Sequence, residues 1–350
     1  MKKILVSTFI FSSLAIANDY EFDFEELDVI ETKAYEYNGY IKGDYKYQLK
    51  KEDYYQNSYL GEFFLNYKYF KNDYTFHLDI MANYENIDSD KDDEVVLNQG
   101  FINYKYDNNH QVYLGKKSAK WGKGYYVNPV AFIDRQKDPN NPELSREGFT
   151  QINYKYNKVL NSEIQNITFD MVYIKTTNIL AFKTYMLYKD IDIDFIYTYS
   201  DETNNKIGFD FSTNIETNFE IHGEYGRFDN GYYSYLLGLK YLTLNELTIL
   251  SEYYVQNEIG EKNIPFYDKK YLINSFTQKE PFDILYINIY YKNILNIDDN
   301  SHQNKLGFIY SGVKNLDLDI SISNNQGDSL SQYGSKPIDK SFWASLKYSF

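Results

Sequence analysis

Apolar and polar side chains alternate one by one along most of this chain. From Leu316 to Ser323, Leu316, Leu318, Ile320 and Ile322 fall on one face, and Asp317, Asp319, Ser321 and Ser323 on the other. DIDIDFIYTY, starting at Asp190, repeats the pattern, and so does the C-terminal SFWASLKYSF. A period of two means strands with one apolar and one polar face. Segments of about ten residues with this pattern recur to the end of the chain, the length a strand needs to cross a bilayer at a tilt. Eighteen such segments are legible, and sixteen if the weaker ones at 179–188 and 269–278 are discounted. All six prolines fall between them, as they must if the segments pair through backbone ladders. No helical period of comparable strength occurs in 33–350.

Eighteen amphipathic strands must hide their edges and their apolar faces. A soluble sandwich would place more Leu, Ile and Val on one shared face. Here the apolar face is largely Tyr and Phe, and charged residues crowd the opposite one. A closed barrel in lipid satisfies both demands: apolar side to lipid, polar side to a lumen, every backbone group paired between strands. The expected fold is therefore all-β, a transmembrane antiparallel up-and-down barrel of about eighteen strands. An even count returns both termini to the same side.

The N-terminus agrees. MKKILVSTFIFSSLAIAND has a basic start, an apolar run from Ile4 to Phe11 and a small-residue Ala15-Ile16-Ala17 site, the three parts of a secretory signal. The expected domains are a signal peptide at 1–17, a periplasmic segment at 18–32 able to plug or gate the lumen, and a barrel at 33–350. The address is a bacterial outer membrane. No other segment is long and apolar enough to cross as a helix.

The string NYKY occurs at Asn66–Tyr69, Asn103–Tyr106 and Asn153–Tyr156, each time just before a turn. If the first strand rises from the periplasm, these close strands two, four and six as they descend. Aromatics two apart share a face, so Tyr67, Tyr69, Tyr104, Tyr106, Tyr154 and Tyr156 are expected to form an aromatic girdle at the inner interface. A ring with a hydroxyl suits the headgroup level. The lysine between them points into the lumen.

One connection is far longer than the rest. Residues 118–147, the third extracellular loop by the alternating count, hold three of the six prolines and one of the two tryptophans. They also hold Arg135 and Arg146, two of only three arginines. Lys120, Lys123 and Lys137 add to a basic patch in a chain whose formal net charge is -14. Long loops in compact folds are functional or disordered, and this one carries residues that can pack. It is expected to fold inward and narrow the pore, with Lys120, Lys123, Arg135, Lys137 and Arg146 at the constriction. Charged rings at a constriction select solutes, and arginine suits carboxylate or phosphate. The alternative is a loop packed outward with its charges solvated or on lipopolysaccharide. Asp190, Asp192, Asp194, Asp317 and Asp319 begin rising strands and are expected at the periplasmic pore mouth.

Composition excludes other chemistry. The chain has no cysteine, so thiolate metal sites and disulfides are excluded. Acidity argues against nucleic acid. His77, His110, His222 and His302 lack metal-ligand spacing, and no nucleophile motif is present. The acidic runs Asp88–Glu94 and Asp298–Ser301 lack the spacing of a calcium loop. No catalytic residue, metal or cofactor is expected.

The stretch GKKSAKWGKGYYVNPVAFIDRQKDP followed by SREG, with LNIDDNS and the terminal SFWASLKYSF, resembles porin-type outer-membrane barrels of Gram-negative bacteria. That resemblance implies passive or substrate-biased diffusion; with the basic loop, the expected solutes are small, hydrophilic and polar or anionic. It also implies that Phe350 is a terminal signal for the barrel-assembly machinery, and that such barrels often form homo-trimers. Membrane lipid and lipopolysaccharide would surround the barrel. Two rivals stand beside the channel: a plugged structural or adhesive barrel, and a barrel hydrolase.

Overall fold

The computed structural model describes residues 33–51, 54–88, 90–140, 146–258, 266 and 268–350. The expected signal peptide and the segment 18–32 lie outside these residues. Eighteen strands run from β1 (Tyr35–Lys50) to β18 (Ile338–Ser349). Each pairs antiparallel with its neighbours in sequence, and β1 also pairs with β18, which closes the sheet into a barrel. Both weaker segments form full strands, β8 (Ile179–Tyr188) and β14 (Lys270–Lys279), so the count is eighteen and not sixteen.

The two ends differ. At one end the connections are short, such as Asn72-Asp73 between β2 (Tyr55–Lys71) and β3 (Tyr74–Ile87). Asn72 there and Asn315 before β17 (Leu316–Gln326) take the left-handed conformation, at φ 51 and 64. Asparagine tolerates that region better than most residues. At the other end the connections lengthen. The longest joins β5 (His110–Lys117) to β6 (Phe149–Val159). In outer-membrane barrels the short turns face the periplasm and the long loops the exterior.

Alternation sorts the side chains. On β12 (Tyr233–Leu242), Leu237 and Leu239 are exposed while Ser234 and Leu236 are buried. On β9 (Ile191–Ser200), Phe195, Tyr197 and Tyr199 are exposed while Asp194, Ile196 and Thr198 are buried. The apolar outer face thus sits where lipid belongs, and the buried positions face inward. Inward positions of a wide barrel are buried only if something fills the lumen, and that filling identifies the site.

Closure depends on one small residue. Gly39 on β1 donates its N–H to the Phe350 carbonyl at 3.0 Å and accepts the Phe350 N–H at 2.9 Å. A Cβ at Gly39 would lie 2.7 Å from the Phe350 ring and 2.3 Å from the Phe64 carbonyl oxygen.

Candidate pore and third loop

Asp134 shapes the start of the loop. Its Oδ1 accepts the amides of Ala119 at 2.7 Å and Lys120 at 3.0 Å, and its Oδ2 that of Trp121 at 2.9 Å. Gly122, at φ +99, then turns the chain along the inner wall. Two wall carboxylates hold it there. Glu224, on β11 (Phe219–Phe228), accepts the amides of Lys123 at 2.6 Å and Gly124 at 2.5 Å on Oε1, and that of Val130 at 3.1 Å on Oε2. Glu252, on β13 (Leu247–Gln256), accepts the amides of Tyr125 and, at 2.9 Å, of Tyr126. A loop in the lumen cannot use the sheet's own ladder, so its buried amides need side-chain acceptors.

Apolar anchors complete the attachment. Trp121, Val130, Phe132 and Ile133 pack against inward-facing Val172, Ile174, Ile179, Ala181 and Ile196. Further round the wall, Val127 packs with Leu236, Tyr254, Tyr271, Ile273 and Ile294. A second loop joins this cluster. Tyr333, between β17 and β18, is 2% exposed there. Gln332 beside it accepts the Tyr271 hydroxyl at 2.8 Å and donates its own amide to Asp299 at 2.6 Å.

A row of carboxylates underlies the loop. Asp194, Asp210 and Glu224 stand directly opposite one another on β9, β10 (Lys206–Glu216) and β11. Like charges in cross-strand register repel, so a cation is required. Lys123 supplies it, 3.1 Å from Asp194 and 3.9 Å from Asp210, and Lys183 approaches Asp194 at 3.4 Å. Burial works against the charge of Lys123, yet the two aspartates more than offset this and hold its pKa above the ordinary lysine value.

The other basic loop residues have separate tasks. Lys120 is exposed, at φ 58. Arg135 pairs with Glu147, which Lys116 also reaches at 2.6 Å. Lys137 donates to the Gly124 carbonyl and so ties the loop to itself. Arg146 lies 4.6 Å over the Phe64 ring and 3.3 Å from the Tyr40 hydroxyl. Their contacts are thus separate, and of the five Arg135 lines the inner cavity described below.

The aspartates also separate. Asp190 lies in the turn before β9, where its carbonyl accepts the Thr213 hydroxyl. Asp192 binds the Tyr185 hydroxyl. Asp194 is 1% exposed beneath the loop, not on an open mouth. On β17, Asp317 accepts from Ser311 at 2.6 Å and Asp319 from Tyr290 at 2.9 Å.

The six NYKY tyrosines lie on the outer face near the short-turn end. Tyr104 stacks on Tyr74 at 4.8 Å, and Tyr67 on Tyr35 at 6.4 Å. Tyr69 and Tyr106 are exposed, Tyr154 bonds the His110 ring at 2.6 Å, and Tyr156 stacks on Phe169. Between the last two, Lys155 turns inward and pairs with Asp170 at 3.5 Å.

Each acidic run supplies a backbone acceptor at its start. Asp88 accepts the Asn57 amide at 3.1 Å, and Asp298 accepts the amides of Lys269 and Lys270. Among the described residues no group of three or more His, Asp or Glu is placed to hold a metal ion.

Beside the loop an inner cavity of about 830 Å³ remains. The barrel wall contributes Lys42, Asp44, Lys46 and Glu62, and the loop contributes Arg135, Asn140 and Glu147. Glu85, Asp92 and Glu94, near the long-loop end of β3 and β4 (Asp90–Lys105), line its outer part.

Sequence reasoning found the loop but not its partners. Glu224 and Glu252 occupy ordinary polar positions of alternating strands, and nothing local separates them from other lumen residues. Tyr333 sits in a loop too short to attract notice.

This is the fold of a porin-type outer-membrane β-barrel. It superposes on Pseudomonas aeruginosa OccK5 (OpdH) with a TM-score of 0.59 at 8% identity, covering 90% of this chain and 98% of that chain. Acinetobacter baumannii OccAB4 gives 0.58 at 10% identity, over 91% and 99% of the two chains. Pseudomonas aeruginosa OprD gives 0.56 at 10% identity, over 90% and 95%. No family model matches the sequence, and no curated protein matches it.

Proposed function

We propose that the protein is a passive outer-membrane channel for small hydrophilic solutes, with its lumen narrowed by the third loop. The supporting observation is the pairing of an anchored loop with an inner cavity of about 830 Å³ beside it. Five loop amides bound by two wall carboxylates and two apolar clusters keep the loop in one place. A fixed loop sets a fixed aperture, and fixed charges around it select what passes.

Those charges weigh against the anionic preference expected from the loop alone. Lys123 is neutralised by Asp194 and Asp210, and Arg135 is paired with Glu147. Around the cavity three cations, Lys42, Lys46 and Arg135, meet six carboxylates, Asp44, Glu62, Glu85, Asp92, Glu94 and Glu147. Acidic residues at the outer end concentrate cations before they enter. Solutes with a positive group, and zwitterions that can use both signs deeper in, fit this lining best.

The test is single-channel recording of the mature chain in a planar bilayer under a KCl gradient. A conducting pore with weak cation preference, shifted further toward cations by Arg135→Ala, is the expected result. Anion preference would restore the basic-loop filter. A folded barrel without conductance would turn the reading to a plugged barrel.

A further inference from the structure

A second recess, of about 300 Å³, opens at the long-loop end and shares no lining residue with the inner cavity. The third loop forms one side of it, with Asn128 and Lys137. Phe228 and Tyr232, where β11 turns into β12, form another. Tyr254 and Gln256 at the end of β13, and Phe266 in the connection to β14, close the rest.

Four aromatic rings thus wall a small space, and their arrangement is fixed. Gln256 is 4% exposed. Its side-chain oxygen accepts the Tyr232 hydroxyl at 2.8 Å and the Tyr254 hydroxyl at 2.9 Å. Its amide donates to the Phe266 carbonyl at 2.9 Å and the Asp268 carbonyl at 2.7 Å. A glutamine side chain has two donors and two lone pairs, so Gln256 is fully used in holding these rings. Tyr232 meets Phe228 at 4.8 Å and 88°, and Tyr254 meets Phe266 at 5.6 Å and 59°. Rings at steep angles enclose a space instead of stacking into one slab. Phe228 already carries Lys206 at 4.9 Å from its centre, so it serves mainly as an apolar wall.

Among the described residues the charged lining is Glu258 and Lys137. Lys137 spends one ammonium donor on the Gly124 carbonyl and has three in all. Its backbone is held by the Asn128 side-chain oxygen at 3.0 Å. The recess therefore offers aromatic walls with a carboxylate for a cation, and an ammonium for an anion. Aromatic walls are the usual seat of quaternary ammonium groups, whose charge is spread over methyls and attracted to ring faces. A compact primary ammonium lacks the methyls that would fill the walls.

We propose that this recess binds a small trimethylammonium betaine at the outer mouth. Its cationic head lies among Tyr232, Tyr254 and Phe266 with Glu258 beside it, and its carboxylate reaches Lys137. The volume lies at the lower end of the range of ligand pockets, as a small solute requires. The proposal goes beyond the channel reading, because binding at the outer mouth needs no passage through the aperture.

The experiment is equilibrium dialysis of radiolabelled glycine betaine against the full mature barrel refolded in detergent. Folding of every variant is checked by its heat-modifiable mobility on a gel. Saturable binding of one molecule per barrel is expected. Glycine, which lacks the methyls, and the tert-butylacetic acid anion, which has the same shape without the cation, should each compete at least about tenfold more weakly. Phe266→Leu, Tyr232→Leu and Glu258→Gln should each weaken binding about fivefold. Tyr232→Phe keeps the ring and should retain most of it. No saturable binding would overturn the proposal. Equal competition by the tert-butyl anion would overturn it too, because the recess would then read shape alone. So would unchanged binding in the Phe266→Leu and Glu258→Gln barrels. A barrel that binds betaine without conducting would sink the channel and uphold this site, and a conducting barrel that binds none would do the reverse.

Discussion

Gly124 donates its N–H to Glu224 Oε1 at 2.5 Å, across 100 residues of sequence. The same carboxylate takes two further loop amides, on both of its oxygens. Charge-assisted bonds of this kind are roughly twice as strong as neutral ones. A glutamine has only one acceptor oxygen, so Glu224→Gln should free one side of the loop. We expect a loss of about 2–3 kcal/mol in loop attachment. Single-channel conductance should rise and become noisier, and proteases should cut within 118–140 from solution. An unchanged current trace would mean that Glu252 and the apolar clusters hold the loop without Glu224.

Lys123 neutralises a pair of buried carboxylates, so its removal should cost more than its own contacts suggest. Lys123→Met leaves Asp194 and Asp210 facing each other with Lys183 as the remaining cation paired to them among the described residues. Breaking a buried pair in this way costs about 3–5 kcal/mol. Denaturant unfolding of the folded barrel should move accordingly. The pH dependence follows from the raised lysine pKa. A cation held above its unfolded value contributes fully below that value, 10.5, and the contribution is lost as pH rises through the folded value. The contribution of Lys123 to loop anchoring should therefore persist through the neutral range and be lost only in strong alkali, read as a change in conductance that Lys123→Met abolishes.

Depth in the membrane should be readable from arginine scanning. Leu237 lies in the middle of β12 and is 55% exposed, whereas Tyr106 stands beside a short turn at 71%. On a lipid-facing surface an arginine costs about 2–4 kcal/mol at the midplane and about 0–1 kcal/mol at the interface. Leu237→Arg should thus destabilise a vesicle-inserted barrel far more than Tyr106→Arg, as measured by urea titration. Equal effects would place Tyr106 outside the girdle.

The barrel was legible because its signal is local and repeated. Alternation in DLDIS or DIDIDFIY needs no partner to be read, and Tyr67, Tyr104 and Tyr154 announce the short-turn end by position alone. The segments 179–188 and 269–278 gave weaker signals, and the structure shows why. Ile179 and Ala181, like Tyr271 and Ile273, are apolar on the inward face because they meet the loop-filled interior, which blurs the alternation. The loop was legible as an unusual length and composition, but its charges were not. A lysine in sequence gives no hint that Asp194 and Asp210 await it. The pairs that decide the lumen's electrostatics, Lys123 with Asp194 and Asp210, and the Tyr125–Glu252 bond that anchors the loop across 127 positions, lie beyond the reach of any periodicity.

Closure of the barrel should be sensitive to a single methyl group at Gly39. The Phe350 ring lies over this position, and the terminal strand reaches β1 through the paired bonds between Gly39 and Phe350. A Cβ there would meet the Phe350 ring at 2.7 Å and the Phe64 carbonyl oxygen at 2.3 Å. The ring can rotate, but the carbonyl belongs to the neighbouring strand and cannot move without breaking the β1–β2 ladder. Gly39→Ala should therefore cost about 3 kcal/mol, the upper end of ordinary overpacking, and slow formation of the compact, heat-modifiable species. Phe350→Ala removes the ring but not the carbonyl, so adding it to Gly39→Ala should recover only part of the loss. Full recovery in the double variant would assign the whole conflict to the ring. A Gly39→Ala barrel that closes at the ordinary rate would show that β1 and β18 have enough slack to absorb the group.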